Sequence, residues 1–148
     1  MAKILSVNIS KGGIPKRPVP ICAVTVDGLE GDGHDHDRDN SPDRAVSLMD
    51  QEILLQLIEE GYALYPGAIG ENLTVEALHV QTLEPRDRLS FSGGVEIELV
   101  EARKPCFVLD PLGKTLKKEI VGRCGYLARV ITEGTFEPGE SIAVKSSS

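Results

Sequence analysis

Short runs of alternating or β-branched apolar residues recur along the chain. Leu5, Val7 and Ile9 alternate with polar residues over 3–9, and 21–26 is rich in β-branched residues. Both patterns are typical of strands. Further strands are predicted at 45–49, 72–78, 88–91, 95–100, 126–132 and 141–144.

One amphipathic helix is predicted directly after the strand at 45–49. Its apolar positions share one helical stripe: Ile53, Leu54, Leu57 and Ile58. Asp50 is suited to cap the first turn, and Gly61 can adopt the left-handed conformation that ends a helix. A second, shorter helix is predicted at 115–120.

The segments between these elements are rich in turn-forming residues. The chain has 15 glycines and 9 prolines, scattered without a period, and Gly93-Gly94 favours a hairpin between two of the predicted strands. We expect loops at 10–20 and 28–43, of which the second has almost no apolar residue. Loops of that length in compact domains are often functional.

These elements favour one mainly β domain. The 148 residues, 41% apolar and 26% charged, are typical of a single globular unit. About eight short strands with one or two helices predict a closed or partly closed antiparallel barrel with helical insertions. We expect 145–148, which ends in three serines, to form a flexible tail.

Charge is distributed unevenly along the chain. The net charge of −7 argues against a general nucleic-acid binder, which needs a basic face. Seven acidic residues and one basic residue lie in 27–43, whereas seven basic and two acidic residues lie in 103–129. The basic stretch is compatible with one small anionic ligand.

Three cysteines, Cys22, Cys106 and Cys124, are the first candidates for chemistry. Their spacing predicts neither a disulfide framework nor a four-cysteine zinc site. Cys106 follows Arg103-Lys104-Pro105, and neighbouring cations stabilise the reactive thiolate. We therefore predict a reactive thiol at Cys106, the alternative being a small buried apolar residue. Cys124 is the lesser candidate, and Cys22 is expected in the core.

The acidic loop carries partial metal-binding patterns. Asp35, Asp37 and Asp39 alternate as at the start of a calcium loop, but later positions lack the required glycine and glutamate. His34 and His36 could face one zinc ion, but no third ligand is marked. These patterns favour a solvated loop over a dedicated metal site.

The N-terminal residues and the lengths of the apolar runs indicate the cellular compartment of the protein. Polar residues occur too early for a signal peptide, and no apolar run approaches the length of a membrane span. We therefore expect a cytoplasmic protein without membrane attachment.

Seven motifs occur in a particular order. They are GLEGD at 28–32 followed by His34, DRAVSL at 43–48, PGAIGENLT at 66–74, RDRL at 86–89, RKPC at 103–106, GRCGYLARV at 122–130 and PGE at 138–140. Together they resemble the MOSC domain, the C-terminal module of molybdenum-cofactor sulfurases, which also occurs as small stand-alone bacterial proteins.

The resemblance implies a fold and a key residue. It covers nearly the whole chain, so 1–148 is expected to be a single MOSC domain with a barrel like that of the pyruvate kinase barrel domain. The family uses a cysteine that carries sulfur as a persulfide or ligates molybdenum, and by position this residue is Cys106.

The resemblance also implies a ligand, the molybdenum cofactor (molybdopterin), a phosphorylated pterin dithiolene. The residues placed around it are Arg44, Asn72, Arg103, Lys104, Arg123, Glu71 and His34. Arginine suits this role because its planar fork can hold a phosphate with two hydrogen bonds. Glu71 is expected to orient the donors or to close the turn at Gly70, and a structural ion pair is an equal alternative for Arg44.

Three functions stay open on the sequence. The leading hypothesis is a protein that binds the molybdenum cofactor and transfers sulfur through a Cys106 persulfide. No pyridoxal-phosphate site is expected, so a cysteine desulfurase would donate the sulfur or a molybdenum enzyme would accept it. The alternatives are a reductase of N-hydroxylated compounds with a separate electron donor, and a non-catalytic module that binds an anionic ligand. The sequence is also compatible with a homodimer.

Overall fold

The computed structural model describes residues 1–33 and 42–147, which form a mainly β fold. Its strands are β1 (Lys3–Ile9), β2 (Arg17–Val19), β3 (Cys22–Thr25), β4 (Gly28–Leu29), β5 (Val46–Asp50), β6 (Leu73–Glu76), β7 (Arg88–Phe91), β8 (Glu96–Ala102), β9 (Tyr126–Thr132), β10 (Gly134–Phe136) and β11 (Ile142–Lys145). The helices are α1 (Gln51–Glu59) and α2 (Leu116–Glu119), and 3-10 turns span Pro42–Arg44, Val80–Thr82 and Phe107–Leu112.

The strands form two sheets. Eight strands lie in the order β11-β7-β8-β9-β5-β6-β1-β2, and β10-β3-β4 form the smaller sheet. Neighbours are antiparallel except β5 and β6, which are parallel. A parallel pair requires a crossover, and α1 with the loop after it provides this connection.

The segment around β11, at one end of the large sheet, approaches β1, which lies next to the other end, through backbone contacts. The N–H of Ile4 donates to the carbonyl of Glu140 over 2.9 Å, and the N–H of Ile142 donates to Ala2 over 2.9 Å. Even so, no closed barrel is found among the residues that the structure describes. The mainly β class is confirmed, and closure into a barrel like that of pyruvate kinase stays a prediction.

Several strands have the predicted bounds, whereas three were missed. β1, β7 and β9 match the prediction residue for residue. The expectation of uninterrupted loops was wrong at β2, in 10–20, and at β4, in 28–43, and β10 was not predicted. These strands are two or three residues long and contain glycine or proline, so they carry no periodic pattern. The remainder of the acidic loop, 34–41, lies outside the described residues.

The prediction of an apolar stripe and an N-cap for α1 was correct only in part. Leu54 and Leu57 of α1 are buried, whereas Ile58 is 42% exposed. Asp50 makes no side-chain cap bond; its carboxylate instead accepts a hydrogen bond of 2.9 Å from the N–H of Val80. Gly61, at φ +110°, follows the helix end as predicted.

Two buried clusters hold these elements together. The larger lies on the sheets, where the rings of Phe91 and Phe136 meet edge to face at 4.8 Å. The smaller lies beneath the helices and contains Met49, Leu54, Leu57, Leu64, Ala68, Ile69, Leu109, Leu116, Ile120 and Cys124. This second cluster includes residues of the motifs at 66–74 and 122–130.

The C-terminal residues contact the sheet. Lys145 ends β11, and the N–H of Ser147 donates to the carboxylate of Asp87 over 2.9 Å. A flexible tail at 145–148 stays a prediction. None of the helices in the described part of the chain is both long and apolar enough to cross a membrane.

Candidate functional site

Three loops meet where β8 ends. The N–H of Arg103, one residue past β8, donates to the carbonyl of Gly125 over 2.9 Å. The Nη2 atom of the same residue donates to the carbonyl of Ile69 over 2.7 Å. Arg103 thus links the motifs at 66–74, 103–106 and 122–130, which lie far apart in the sequence.

Two glycines allow these loops to pack closely against neighbouring segments. Gly125 has φ +88°, and a Cβ there would collide with the carbonyl oxygen of Leu48. Gly70 has φ +93°, and a Cβ there would lie 2.9 Å from Cγ2 of Ile14 and 3.3 Å from Nη2 of Arg103. Only glycine combines this backbone conformation with the available space.

Only one of the two terminal nitrogens of the Arg103 guanidinium makes a hydrogen bond in the described part of the chain. Nη2 is engaged with Ile69, but Nη1 is buried and has no hydrogen-bond partner within 1–33 and 42–147. A buried donor without a partner costs free energy. The side chain is therefore suited to an additional acceptor, and an anion would satisfy both its charge and its geometry.

Glu71 lies fully buried beside this arginine. Its Oε2 accepts a hydrogen bond of 2.9 Å from the hydroxyl of Thr74. Burial raises the pKa of the Glu71 carboxyl, while neighbouring N–H groups, the Thr74 hydroxyl and the charge of Arg103 act in the opposite direction. The carboxyl is inside the protein, and its role in orienting the donors stays a prediction.

Asn72 is committed to contacts within the protein. Its Nδ2 donates to the carboxylate of Asp32 over 2.9 Å and to the carbonyl of Asn8 over 3.2 Å. Its Oδ1 accepts from the N–H of Ser47 over 3.0 Å. The amide therefore holds β1, β5 and the start of the acidic loop together, and both of its N–H groups have acceptors without a ligand.

A buried ion pair extends this polar network. Lys16 Nζ lies 2.7 Å from Asp32 Oδ1, and the two side chains are only 11% and 0% exposed. The N–H of Ser10 donates to the same carboxylate oxygen over 2.9 Å. Sequence reasoning missed Lys16, because a lysine in a proline-rich loop carries no signal of burial.

Two polar strand residues were also missed. Asn8 and Thr74 are both 0% exposed, and Asn8 Nδ2 donates to Thr74 Oγ1 over 3.1 Å. A polar residue at a buried position of a strand is the signal that could have identified them.

The thiol of Cys106 is exposed and free. The residue has extended backbone and precedes the 3-10 turn Phe107–Leu112, with its carbonyl accepting from the N–H of Leu109 over 3.1 Å. Cys106 is therefore not the small buried residue of the alternative interpretation. Lys104, two residues earlier, is also exposed.

The other two cysteines are buried. Cys124 is 1% exposed, and burial raises the pKa of its thiol; the charge of Arg103 lowers that pKa, and the charges of Cys106 and Glu71 raise it. Cys22 lies in β3 within the larger core cluster, as predicted.

The remaining predicted ligand residues have different surroundings. Arg123 is engaged by Glu60, with Nη1 and Nη2 each 2.7 Å from a carboxylate oxygen. Arg44 lies half-buried at the end of the 3-10 turn Pro42–Arg44. His34 falls outside the described residues.

Metal-ligating side chains form no cluster in the described part of the chain. Residues 1–33 and 42–147 contain no group of three or more His, Cys, Asp or Glu side chains that could hold a metal ion. The patterns involving Asp35, His36, Asp37 and Asp39 fall in the part that is not described.

Comparison with known proteins identifies the family. The MOSC domain model matches residues 35–143, so this chain belongs to the MOSC domain family. The resemblance inferred from the seven motifs is thereby confirmed. No curated protein sequence matches the chain significantly.

Solved structures share the fold over the whole chain. YuaD from Bacillus subtilis superposes with a TM-score of 0.84 at 19% identity, covering 99% of this chain and 97% of that one. YiiM from Geobacillus stearothermophilus gives 0.81 at 26% identity, covering 99% and 76%. YiiM from Escherichia coli gives 0.76 at 23% identity, covering 100% and 71%.

Proposed function

We propose that this MOSC-domain protein binds the molybdenum cofactor and carries sulfur as a persulfide on Cys106. Family membership indicates a function related to that cofactor. The observation that supports the finer proposal is the exposed free thiol of Cys106. It lies three residues after Arg103, whose buried Nη1 has no hydrogen-bond partner in the described part of the chain.

The residues of the site suit a phosphorylated ligand. Arg103 would hold the phosphate through Nη1, and Lys104 and Arg44 would add positive charge. When bound, the cofactor would supply a molybdenum ion that accepts a sulfur ligand. Glu71 and Asn72 would act indirectly, because their contacts hold the loop that presents Ile69 to Arg103.

The sulfur-loading step is an exchange between sulfur atoms. The Cys106 thiolate attacks the terminal sulfur of a donor persulfide, forming a new S–S bond at Sγ. The S–S bond of the donor breaks, and the donor leaves as a thiolate that takes up a proton. No net oxidation occurs, so the step needs only the donor.

A cysteine desulfurase is the proposed donor, and a molybdenum enzyme is the proposed acceptor. We place the reaction in the cytoplasm, where thiols stay reduced. The exposed position of Cys106 permits a large protein to reach the thiol.

Loading by a cysteine desulfurase tests the carrier function. In intact mass measured directly after exposure to the donor, before any release of sulfide, wild type and Cys22→Ser are expected to carry one additional sulfur atom, whereas Cys106→Ser carries none. Cys22 is a matched control because it is free, buried and in the other sheet. Equal loading of Cys106→Ser, or no loading of wild type, would refute the proposal.

A second candidate function uses the same thiol as a molybdenum ligand in a reductase. The accessible position of Cys106 at the site favours it as well. Purification from a host that makes the cofactor separates the two: tightly held molybdenum that is lost in Cys106→Ser, with reduction of N-hydroxylated compounds, supports the reductase.

A further inference from the structure

We propose that Cys124 is the resolving thiol of this site: it attacks a persulfide on Cys106, releases sulfide and leaves a Cys106–Cys124 disulfide. This inference rests on the proposed carrier function. It adds an active role for a buried residue and specifies the form in which sulfur leaves the protein.

The backbone brings the two cysteines toward each other. β8 and β9 are antiparallel, with Ala102 opposite Tyr126, and the next residues continue the pairing through the bond from Arg103 N–H to the Gly125 carbonyl. Cys106 follows Arg103 by three residues, and Cys124 immediately precedes Gly125. Continuing this register places Lys104 opposite Cys124, two residues before Cys106, so the two cysteines lie on adjacent backbone segments. A disulfide between them further requires Cα atoms within about 7 Å.

The chain after Cys106 turns back toward the same buried cluster. The N–H of Leu109 donates to the Cys106 carbonyl over 3.1 Å, and Leu109 and Cys124 belong to one cluster under the helices. The charges of Arg103 and Cys106 both act on the Cys124 thiol. An exposed thiol and a buried thiol therefore occupy one site.

Their different exposure gives them different roles. Cys106 is exposed and can reach a protein donor, whereas Cys124 is 1% exposed and is shielded from donors and oxidants in solution. Loading therefore occurs on Cys106, and Cys124 reacts only with sulfur already bound there. Cys22 cannot substitute, because it lies in β3 of the smaller sheet, where its Sγ donates to the carbonyl of Glu30.

The step balances without an external oxidant. Sγ of Cys124 forms a bond to Sγ of Cys106, and the bond from Cys106 Sγ to the terminal sulfur breaks. The terminal sulfur leaves with the bonding electron pair and takes the proton of the Cys124 thiol. The two cysteines are oxidised to a disulfide while the terminal sulfur is reduced to sulfide. A dithiol reductant then restores both thiols.

The experiment compares loaded wild type, Cys124→Ala, Cys124→Ser and Cys22→Ala. After loading, the donor and all small thiols are removed, and released sulfide and intact mass are followed. Wild type and Cys22→Ala are expected to release sulfide equimolar with the bound sulfur and to form a Cys106–Cys124 disulfide, located by peptide mapping. Both Cys124 variants are expected to keep the persulfide.

Equal sulfide release from the Cys124 variants, or release from wild type without that disulfide, would overturn the resolving role while leaving the carrier function intact. Absence of loading in wild type would instead refute the carrier function and this inference together. Treatment of unloaded protein with diamide, a thiol-specific oxidant, gives an independent measure. A Cys106–Cys124 disulfide in wild type supports the pairing, and its absence counts against it.

Discussion

The guanidinium of Arg103 donates a hydrogen bond of 2.7 Å to the main-chain carbonyl of Ile69. This contact joins the segment that carries Cys106 to the glycine-containing loop before β6. It uses one end of the guanidinium and leaves Nη1 without a partner among the described residues. The contact thus orients an arginine that keeps Nη1 for the ligand of the proposed function.

Replacement of Arg103 should affect ligand binding more than folding. We expect Arg103→Ala to abolish co-purification of pterin and molybdenum from a cofactor-producing host, with a loss of about 1–3 kcal/mol in the free energy of unfolding. Arg17→Ala, on the exposed edge strand β2, is the control and should retain both. Undiminished pterin in Arg103→Ala would show that the cofactor is held elsewhere.

Gly70→Ala should displace Arg103. The added Cβ would face Ile14 at 2.9 Å and Nη2 of Arg103 at 3.3 Å, in addition to the strain of φ +93°. Gly94→Ala is the matched control, because Gly94 has φ +106° but no atom within 4 Å of the added Cβ. Backbone strain of about 1–3 kcal/mol is expected in both, measured by denaturant unfolding, but only Gly70→Ala should also reduce pterin binding. Equal ligand binding in the two variants would contradict the proposed contact.

The buried pair between Lys16 and Asp32 should be important for stability. Asp32→Ala leaves the Lys16 charge buried and removes the acceptor of Asn72, so we expect a loss of about 3–5 kcal/mol in the free energy of unfolding. The exposed pair between Lys3 and Glu76, at 3.5 Å, provides the comparison. Glu76→Ala should cost about 0–1 kcal/mol in the same denaturation experiment. Similar losses in both variants would show that the buried network contributes little.

Asp50 should make stability depend on pH. Burial raises the pKa of this carboxyl to about 6, against the lowering effect of the Val80 N–H. Between the ordinary pKa of 3.8 and about 6, the folded state binds more protons than the unfolded state, so the free energy of unfolding falls as pH rises through this window.

Asp50→Asn removes that charge and keeps an acceptor for Val80. We expect the variant to be more stable than wild type by about 1–3 kcal/mol at pH 7, with the difference shrinking toward pH 4. Urea denaturation at several pH values measures this difference. Glu59→Gln, at an exposed position of the same helix, should show no such trend. A constant difference across pH would contradict the assignment to Asp50.

The local pattern of the chain determined the elements that have a clear period. Alternation of apolar residues predicted β1, and the seven motifs identified the family and singled out Cys106. These signals depend on residue types within a few positions of each other, so they can be read without knowledge of the fold.

Only the tertiary structure decided which of the predicted residues remain open to a ligand. Arg123 is engaged by Glu60, 63 residues away in the sequence, and Asn72 is engaged by Asp32, 40 residues away. The same long-range packing leaves Cys106 exposed and buries Cys124 beneath the helices. Burial and hydrogen-bond partners depend on segments that meet only after folding, which is why no local pattern could show the exposure of Cys106 and Cys124 or the partner of Arg123.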